Sequence, residues 1–288
     1  MKSRSLVALL SLLAVLALTA CGEDDSSSNE PAATETAQAD ACTKDNLKTL
    51  SPGTLTVATD KPAFPPYFVD DDPTNGKGFE SAVAYAIAEE LGFTKDEVKW
   101  TVVPFNASYA PGPKQFDFDV NQISITEKRK KAVDFSAPYF TAPQALVVPK
   151  GSKLTDAKSL ADVSKARIGV QVGTTSFDAV EEVIKPENEP KIFNNSTDVV
   201  TALKQGQVDG VVVDLPTAFY VTAAQVEGSK IVGQFEAPGG DQWGALLAKD
   251  SPLTDCVSKA ITTLDSSGEL KKIYEEWLGD AAGAPTLG

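Results

Sequence analysis

From about residue 53 the chain alternates short apolar runs with stretches in which apolar residues return every three or four positions. Leu55-Thr56-Val57-Ala58 reads as a strand. Phe79, Val83, Ile87 and Leu91 follow at four-residue spacing and stop at Gly92, the pattern of an amphipathic helix closed by glycine. Further strands are expected over 99–105, 118–124, 145–148, 167–172, 208–214, 231–235 and 244–249. Helices are expected over roughly 177–184, 198–205, 216–225, 253–264 and 268–278, with Gly206 closing the second and Pro216 in the tolerant first turn of the third. Strands alternating with helices imply parallel sheets with crossovers, hence an α/β fold.

The length accommodates two α/β lobes. The proline-punctuated segment 138–149 is an expected crossing between them, and a second crossing is expected near 234–241, where Ala237-Pro238-Gly239-Gly240 breaks any regular element. Two crossings return the C-terminal helices to the first lobe. Lobe 1 is then 47–142 plus 241–282, lobe 2 is 143–240, and 283–288 is a tail.

The N-terminus has a different pattern. Lys2 and Arg4 precede the apolar run 6–18, too short for a membrane-spanning helix of about 20 residues but suited to a secretory signal over 1–20. The run ends in Leu18-Thr19-Ala20-Cys21, which resembles a bacterial lipobox, so Cys21 is the expected lipidated N-terminus of the mature chain. Residues 21–46 are acidic and poor in large apolar side chains, and are expected to be a disordered tether. Outside the cytosol disulfides persist, so Cys42 and Cys256 form either a bridge from the tether's end to the C-terminal region or two buried thiols.

Composition removes whole classes of chemistry. The chain has no histidine, which excludes histidine-dependent catalytic relays and histidine-ligated metals. A net charge of −14 argues against a nucleic-acid partner. No CxxC pair is present, and no cofactor or metal is expected.

Four clusters carry candidate chemistry. In Ser124-Ile125-Thr126-Glu127-Lys128-Arg129, a strand ends in hydroxyls before a charged turn. Arg129 there is either a two-pronged carboxylate clamp or one solvated charge among several. In Gly173-Thr174-Thr175-Ser176, a strand runs through glycine into a helix; the hydroxyls either face an anion or merely cap the helix. Asp214 ends an apolar strand, and its charge needs either a ligand ammonium or the N-terminus of the helix beginning at Leu215. In the proline-rich loop after Asp60, Phe64 or Tyr67 forms either an apolar wall for a ligand or ordinary packing.

Taken in order, SITEKRKKAVDFSAPY (124–139), GFE…AIAEELG (78–92), RIGVQVGTT, GQVDGVVVD and GELKKIYEEWLG (268–279) resemble the extracellular solute-binding proteins of bacterial ABC importers, polar-amino-acid type. The resemblance implies a type II periplasmic-binding-protein fold: two α/β lobes joined by two hinge strands, with the ligand cleft between them. It implies capture of a free, polar L-amino acid and delivery to an ABC permease in the cytoplasmic membrane, by a monomer anchored through lipid outside the cell membrane. Arg129 and Ser124, with Thr174 and Thr175 opposite, would hold the α-carboxylate; Asp214 would hold the α-ammonium; Phe64 would cover the side chain. Asp60, Asn121 and Gln122 fall where the family tunes specificity. Three features depart from the family pattern: Ala82 in place of a second acid, a loop over 105–117 in place of a helix, and Gln122 where glycine or serine is common. Two other functions occur on this fold, a dehydratase-like enzyme and a ligand-presenting sensor lipoprotein.

Overall fold

A computed structural model describes residues 41–279 and 283–288. The signal peptide, the lipobox with Cys21 and the tether up to residue 40 lie outside the described residues. The expected tether overlaps them only at 41–46, and these residues are ordered against the body: Lys44–Asn46 form a 3₁₀ turn, and Cys42 is disulfide-bonded to Cys256 with the Cα atoms 5.2 Å apart. The bridge alternative therefore holds over the two-thiol alternative.

Ten strands form two five-stranded sheets. The first has the order β2-β1-β3-β10-β4, and the second β7-β6-β8-β5-β9. Sheet one draws on β1 (Leu55–Thr59), β2 (Val98–Val102), β3 (Phe118–Asp119), β4 (Val133–Thr141) and β10 (Gln242–Ala248). Sheet two draws on β5 (Gln144–Val148), β6 (Ile168–Gln171), β7 (Lys191–Phe193), β8 (Gly210–Asp214) and β9 (Lys230–Phe235). Each sheet supports one lobe. The chain crosses between β4 and β5 and again between β9 and β10, and the crossings are tied by the Ala142 N–H donating to the Asp241 carbonyl at 2.9 Å.

Neither sheet is purely parallel, as the alternation had implied. β1, β2 and β3 are parallel, but β10 runs antiparallel to β3 and β4; in lobe 2, β5 runs antiparallel to β8 and β9. A strand that arrives through a hinge has no helix with which to reverse its direction, so it enters against its neighbours.

The helices are α1 (Phe79–Glu90), a single turn α2 (Phe105–Ser108), α3 (Thr175–Ala179), α4 (Ser196–Lys204), α5 (Leu215–Tyr220), α6 (Thr254–Ser266) and α7 (Glu269–Leu278). α3 and α5 each continue into a π-helical turn, over Val180–Ile184 and Val221–Gln225. The stretch 105–117 is thus not all loop: Ser108 Oγ bonds the Phe105 carbonyl and closes one turn. The expected strand 118–124 forms a regular ladder only at Phe118–Asp119, because Gln122 turns the chain with φ of 48°; Ser124 then makes an isolated bridge to Trp243. The β4 strand starts at Val133, before the expected crossing, and contains Pro138, which an edge strand tolerates.

Burial follows the helical and strand periodicities. Phe79, Val83, Ile87 and Leu91 face a lobe 1 core that also holds Tyr67, Phe68, Phe118 and Trp243, all 0–2 % exposed. Val257, Ile261, Leu264, Leu270 and Ile273 bring the C-terminal helices onto the same core. Residues 283–288 are not a free tail. Thr286 bridges Gln234 in parallel, the Gln234 N–H donates to the Pro285 carbonyl at 2.7 Å, and Leu287 is buried in the lobe 2 core. Gly233 allows this close approach, since a Cβ there would lie 2.6 Å from the Pro285 carbonyl oxygen.

Candidate functional site

The turn after β3 and the loop after β1 face the ends of β6 and β8 across a cleft of about 530 Å³. All nine residues singled out from the sequence line it: Asp60, Phe64, Asn121, Gln122, Ser124 and Arg129 from lobe 1, and Thr174, Thr175 and Asp214 from lobe 2. Ligands in open α/β sheets bind beyond the carboxyl ends of strands, and these segments occupy that position.

Arg129 is not a solvated member of its charged run, since it is 7 % exposed. Its guanidinium packs against the rings of Phe105 and Tyr109, with Cζ 5.4 and 4.7 Å from their centroids. Nη1 donates to the Ser124 carbonyl at 2.7 Å, and Nη2 donates across the cleft to the Gly173 carbonyl at 2.9 Å. Two carbonyls use two of its five N–H groups, so donors remain for an anion. Burial draws its pKa down, an effect opposed by Tyr109, Asp241, Asp178 and Asp214. Gly173 carries a double constraint. Its φ is +73°, and a Cβ would lie 2.4 Å from the Tyr109 hydroxyl.

For Asp214, the helix-cap alternative fails. The residue occupies the N-cap position of α5, but its side chain makes no capping bond. It accepts instead from Gln144 Nε2 at 2.6 Å, and the same nitrogen donates to Asp241 Oδ2 at 2.6 Å. Burial raises the Asp214 pKa well above the usual carboxylate range, and the neighbouring Asp241 raises it further. Asp241 is raised by burial too, opposed by hydrogen bonds from Ser124, Thr175 and Gln144. Two carboxyl groups joined by one amide each resist ionisation, and a cation entering the cleft would favour their charged forms.

Thr174 follows the capping alternative: its hydroxyl accepts from the Phe177 N–H and donates to the Gln171 carbonyl. Its side chain is therefore committed to the loop. The Thr175 hydroxyl donates to Asp241 Oδ2 at 2.8 Å and lies 3.2 Å from the Ser124 hydroxyl of the opposite lobe. Phe64 lines the cleft and stacks on Tyr220 of lobe 2, with centroids 5.9 Å apart. Tyr67 instead belongs to the core, where its hydroxyl bonds that of Thr217 across the lobes at 2.8 Å. Asp60 is fixed by the N–H groups of Lys61 and Phe105, and Asn121 keeps a buried Nδ2 with no partner.

Sequence reasoning missed Gln144 and Asp241. Each is a fully buried polar residue beside a crossing, next to the apolar runs of β5 and β10. A polar side chain at the head of an apolar strand was the available signal. Sequence reasoning also missed the aromatic pair Phe105 and Tyr109, and the lobe 2 wall formed by Asn194, Asn195, Ser196 and Thr197. Among the described residues, no group of three His, Cys, Asp or Glu side chains is placed to hold a metal ion, and no helix is long and apolar enough to cross a membrane.

Comparison with known proteins bears on this geometry. Residues 55–280 match the family model described as bacterial extracellular solute-binding proteins, family 3. The ABC transporter glutamine-binding protein GlnH of Bacillus subtilis (strain 168) is 32 % identical over 96 % of this chain and 98 % of its own. The arginine-binding periplasmic protein of Mannheimia haemolytica is 30 % identical over 76 % of this chain and 89 % of its own. Among solved structures, an ancestral arginine-binding protein bound to arginine shares 38 % identity at a TM-score of 0.66, covering 79 % of this chain and 99 % of that one.

Proposed function

The chain belongs to the bacterial extracellular solute-binding proteins of family 3, and from that premise we propose that it captures one free L-amino acid between its lobes for an ABC permease. The observation that carries this reading is the placement of Arg129 and Asp214 in one cleft, Arg129 buried and Asp214 half-buried, each sensing the other's charge. In the bound state Arg129 grips the α-carboxylate, with the Ser124 and Thr175 hydroxyls beside it. Asp214, with Asp241 behind it, receives the α-ammonium. Thr174 contributes through the loop that its hydroxyl holds in shape.

A zwitterion of this kind touches both lobes only when they are closed. It therefore binds that state better and shifts the population toward it. Contacts already spanning the lobes, Tyr67 to Thr217, Arg129 to Gly173 and Phe64 on Tyr220, mark the surfaces that meet. Handing over the ligand then requires a partner that separates them.

The remaining parts of the reading concern location. Cys21 carries the lipid anchor, the acidic stretch before residue 41 spaces the body from the outer face of the cell membrane, and the protein works as a monomer. A Cys21→Ala chain released into the medium would support the anchor; one that stays with the membrane fraction would refute it.

For a dehydratase-like enzyme, the acid with the most suitable pKa is Glu80, raised by burial to about 7. Its Oε1 accepts from the Gln122 N–H and the Tyr139 hydroxyl, and its Oε2 accepts from the Gln122 side chain, so no oxygen is presented to a substrate. This favours binding over turnover. The experiment that tests the function is a thermal-shift screen of the body from residue 41 against the proteinogenic amino acids, followed by calorimetry. A ligand that binds only the native state raises the Tm. If no amino acid does so, the reading fails.

A further inference from the structure

Asp214 is followed at once by α5, so whatever moves Asp214 toward lobe 1 moves that helix with it. Thr217 and Tyr220 stand three positions apart, neighbours on one face of α5, and meet Tyr67 and Phe64 of lobe 1. The Tyr67 and Thr217 hydroxyls are 2.8 Å apart, and the Phe64 and Tyr220 rings are stacked. Phe64 and Tyr67 themselves meet edge to face at 5.5 Å, which joins the two contacts into one patch.

The lobe 1 half of this patch is held firmly. The first turn of α1 donates to the loop that carries it: the Phe79 N–H to the Pro66 carbonyl at 2.9 Å, and the Glu80 and Ser81 N–H groups to the Tyr67 carbonyl at 3.1 and 3.3 Å. Gly78 permits this approach, since a Cβ there would lie 2.4 Å from the Tyr67 carbonyl oxygen. The Tyr67 ring packs edge-on against the buried Trp243 and belongs to the lobe 1 core, not to the cleft lining. Burial, and after it the charge of Asp214, pushes the Tyr67 phenol well above its usual range, so the hydroxyl keeps its proton. Thr217 is buried as well, at 8 % exposed. A ring anchored in one lobe thus carries one polar atom to a buried hydroxyl of the other.

Resting on the amino-acid reading of the cleft, we propose that Tyr67 and Thr217 are positioning residues, a latch that favours the closed state whichever amino acid is held. Both partners of the bond belong to the protein, and the bond forms only where α5 and the loop after β1 meet. The latch therefore acts on the population of the closed state and not on recognition. Apparent affinity scales with the fraction of protein in the competent state, so a weaker latch lowers affinity for every amino acid by one factor and leaves their ranking unchanged. The effect is modest, because water replaces each hydroxyl's partner when the lobes part.

The test is titration calorimetry of the body from residue 41 with glutamine, arginine and the other proteinogenic amino acids, as wild type, Tyr67→Phe, Thr217→Val, the double variant and Thr217→Ser. Tyr67→Phe is expected to weaken every amino acid that binds by a common factor of about three to ten. The double variant is expected to lose no more than the larger single loss, because the two changes remove one bond. Thr217→Ser, which keeps the hydroxyl, is expected to stay within about two-fold of the wild type. Affinities of Tyr67→Phe within about two-fold of the wild type, with or without a lower Tm, overturn the inference, and so does a changed ranking or losses that add in the double variant. In those cases wild-type binding that is lost in Arg129→Ala leaves the reading of the cleft intact. If the wild type binds no amino acid, the reading of the cleft fails and the inference fails with it.

Discussion

Both lobes order their strands in one way, three parallel strands, one that runs against them and an edge strand that runs with them again, yet they bring different materials to the cleft. Lobe 1 is built on aromatic residues, with Trp243, Tyr67, Phe68, Phe79 and Phe118 fully buried, and it is closed at its edge by the Cys42–Cys256 bridge. It holds Arg129 against two rings. Lobe 2 has an aliphatic core of residues such as Leu146, Ile168, Leu203 and Val211, and it offers hydroxyls, amides and Asp214. The buried cation thus sits on the lobe with the heavier packing, where its desolvation is compensated by fixed partners. The short-range hydrogen-bonding groups sit on the opposite lobe, where they count only once the cleft has closed. A charge needs a rigid site to be worth its desolvation, whereas a hydroxyl loses little by waiting.

This division can be broken most strongly at Arg129. Arg129→Ala is expected to cost about 3–5 kcal/mol of ligand affinity, hundreds-fold or more, measured by calorimetry. A loss below about 1 kcal/mol would put Arg129 with ordinary surface charges and end the contrast.

Glu80 tests the buried charge of lobe 1 through pH. Its folded pKa of about 7 lies above the ordinary glutamate value of 4.5, so between these values the native state keeps a proton that the unfolded chain has released. The contribution is fully present below pH 4.5 and is lost as pH rises to about 7, by about 3 kcal/mol. Asp214, Asp241 and Asp119 are shifted in the same direction. The diagnostic is therefore a difference between chains: denaturation of Glu80→Gln should show a shallower fall over that window than the wild type. Parallel curves would assign the fall to the other acids.

The disulfide tests which lobe the bridge supports. It closes a sequence separation of 214 residues, and Cys42→Ser with Cys256→Ser is expected to lower stability by about 2–4 kcal/mol while leaving ligand affinity within about two-fold. A large loss of affinity would mean that the bridge shapes the cleft. The smallest effect is expected in lobe 2. Thr175→Val removes a hydroxyl bonded to Asp241 and should cost about 1 kcal/mol of affinity, against the larger loss at Arg129.

Much of this was legible in the chain because it is local. The four-residue spacing from Phe79 to Leu91 and the stop at Gly92 describe one helix with no outside help, and Gly92 indeed has φ of 84°. The strands β1 and β8 put Asp60 and Asp214 at their carboxyl ends whatever the partner. The register of β3 was less legible, because a turn at Gln122 is stabilised by Glu80, 42 positions earlier. β4 was hidden by Pro138, which is harmless only because β4 ends at an edge of the sheet. The packing of 284–287 on β9 was hidden because it depends on Gly233 lying where a carbonyl approaches.

Periodicity, glycine and proline placement and the lack of histidine determined, from the sequence alone, two α/β lobes, their crossings and a chemistry without histidine or its metals. Those features act through neighbouring residues and through residue type, which a linear chain carries complete. Which alternative each candidate follows was decided only by tertiary structure: Arg129 buried rather than solvated, Thr174 a cap, Asp214 no cap, and Gln144 joining two acids. Burial and long-range partners set the free energy of a charge or hydroxyl, and neither exists until distant segments meet.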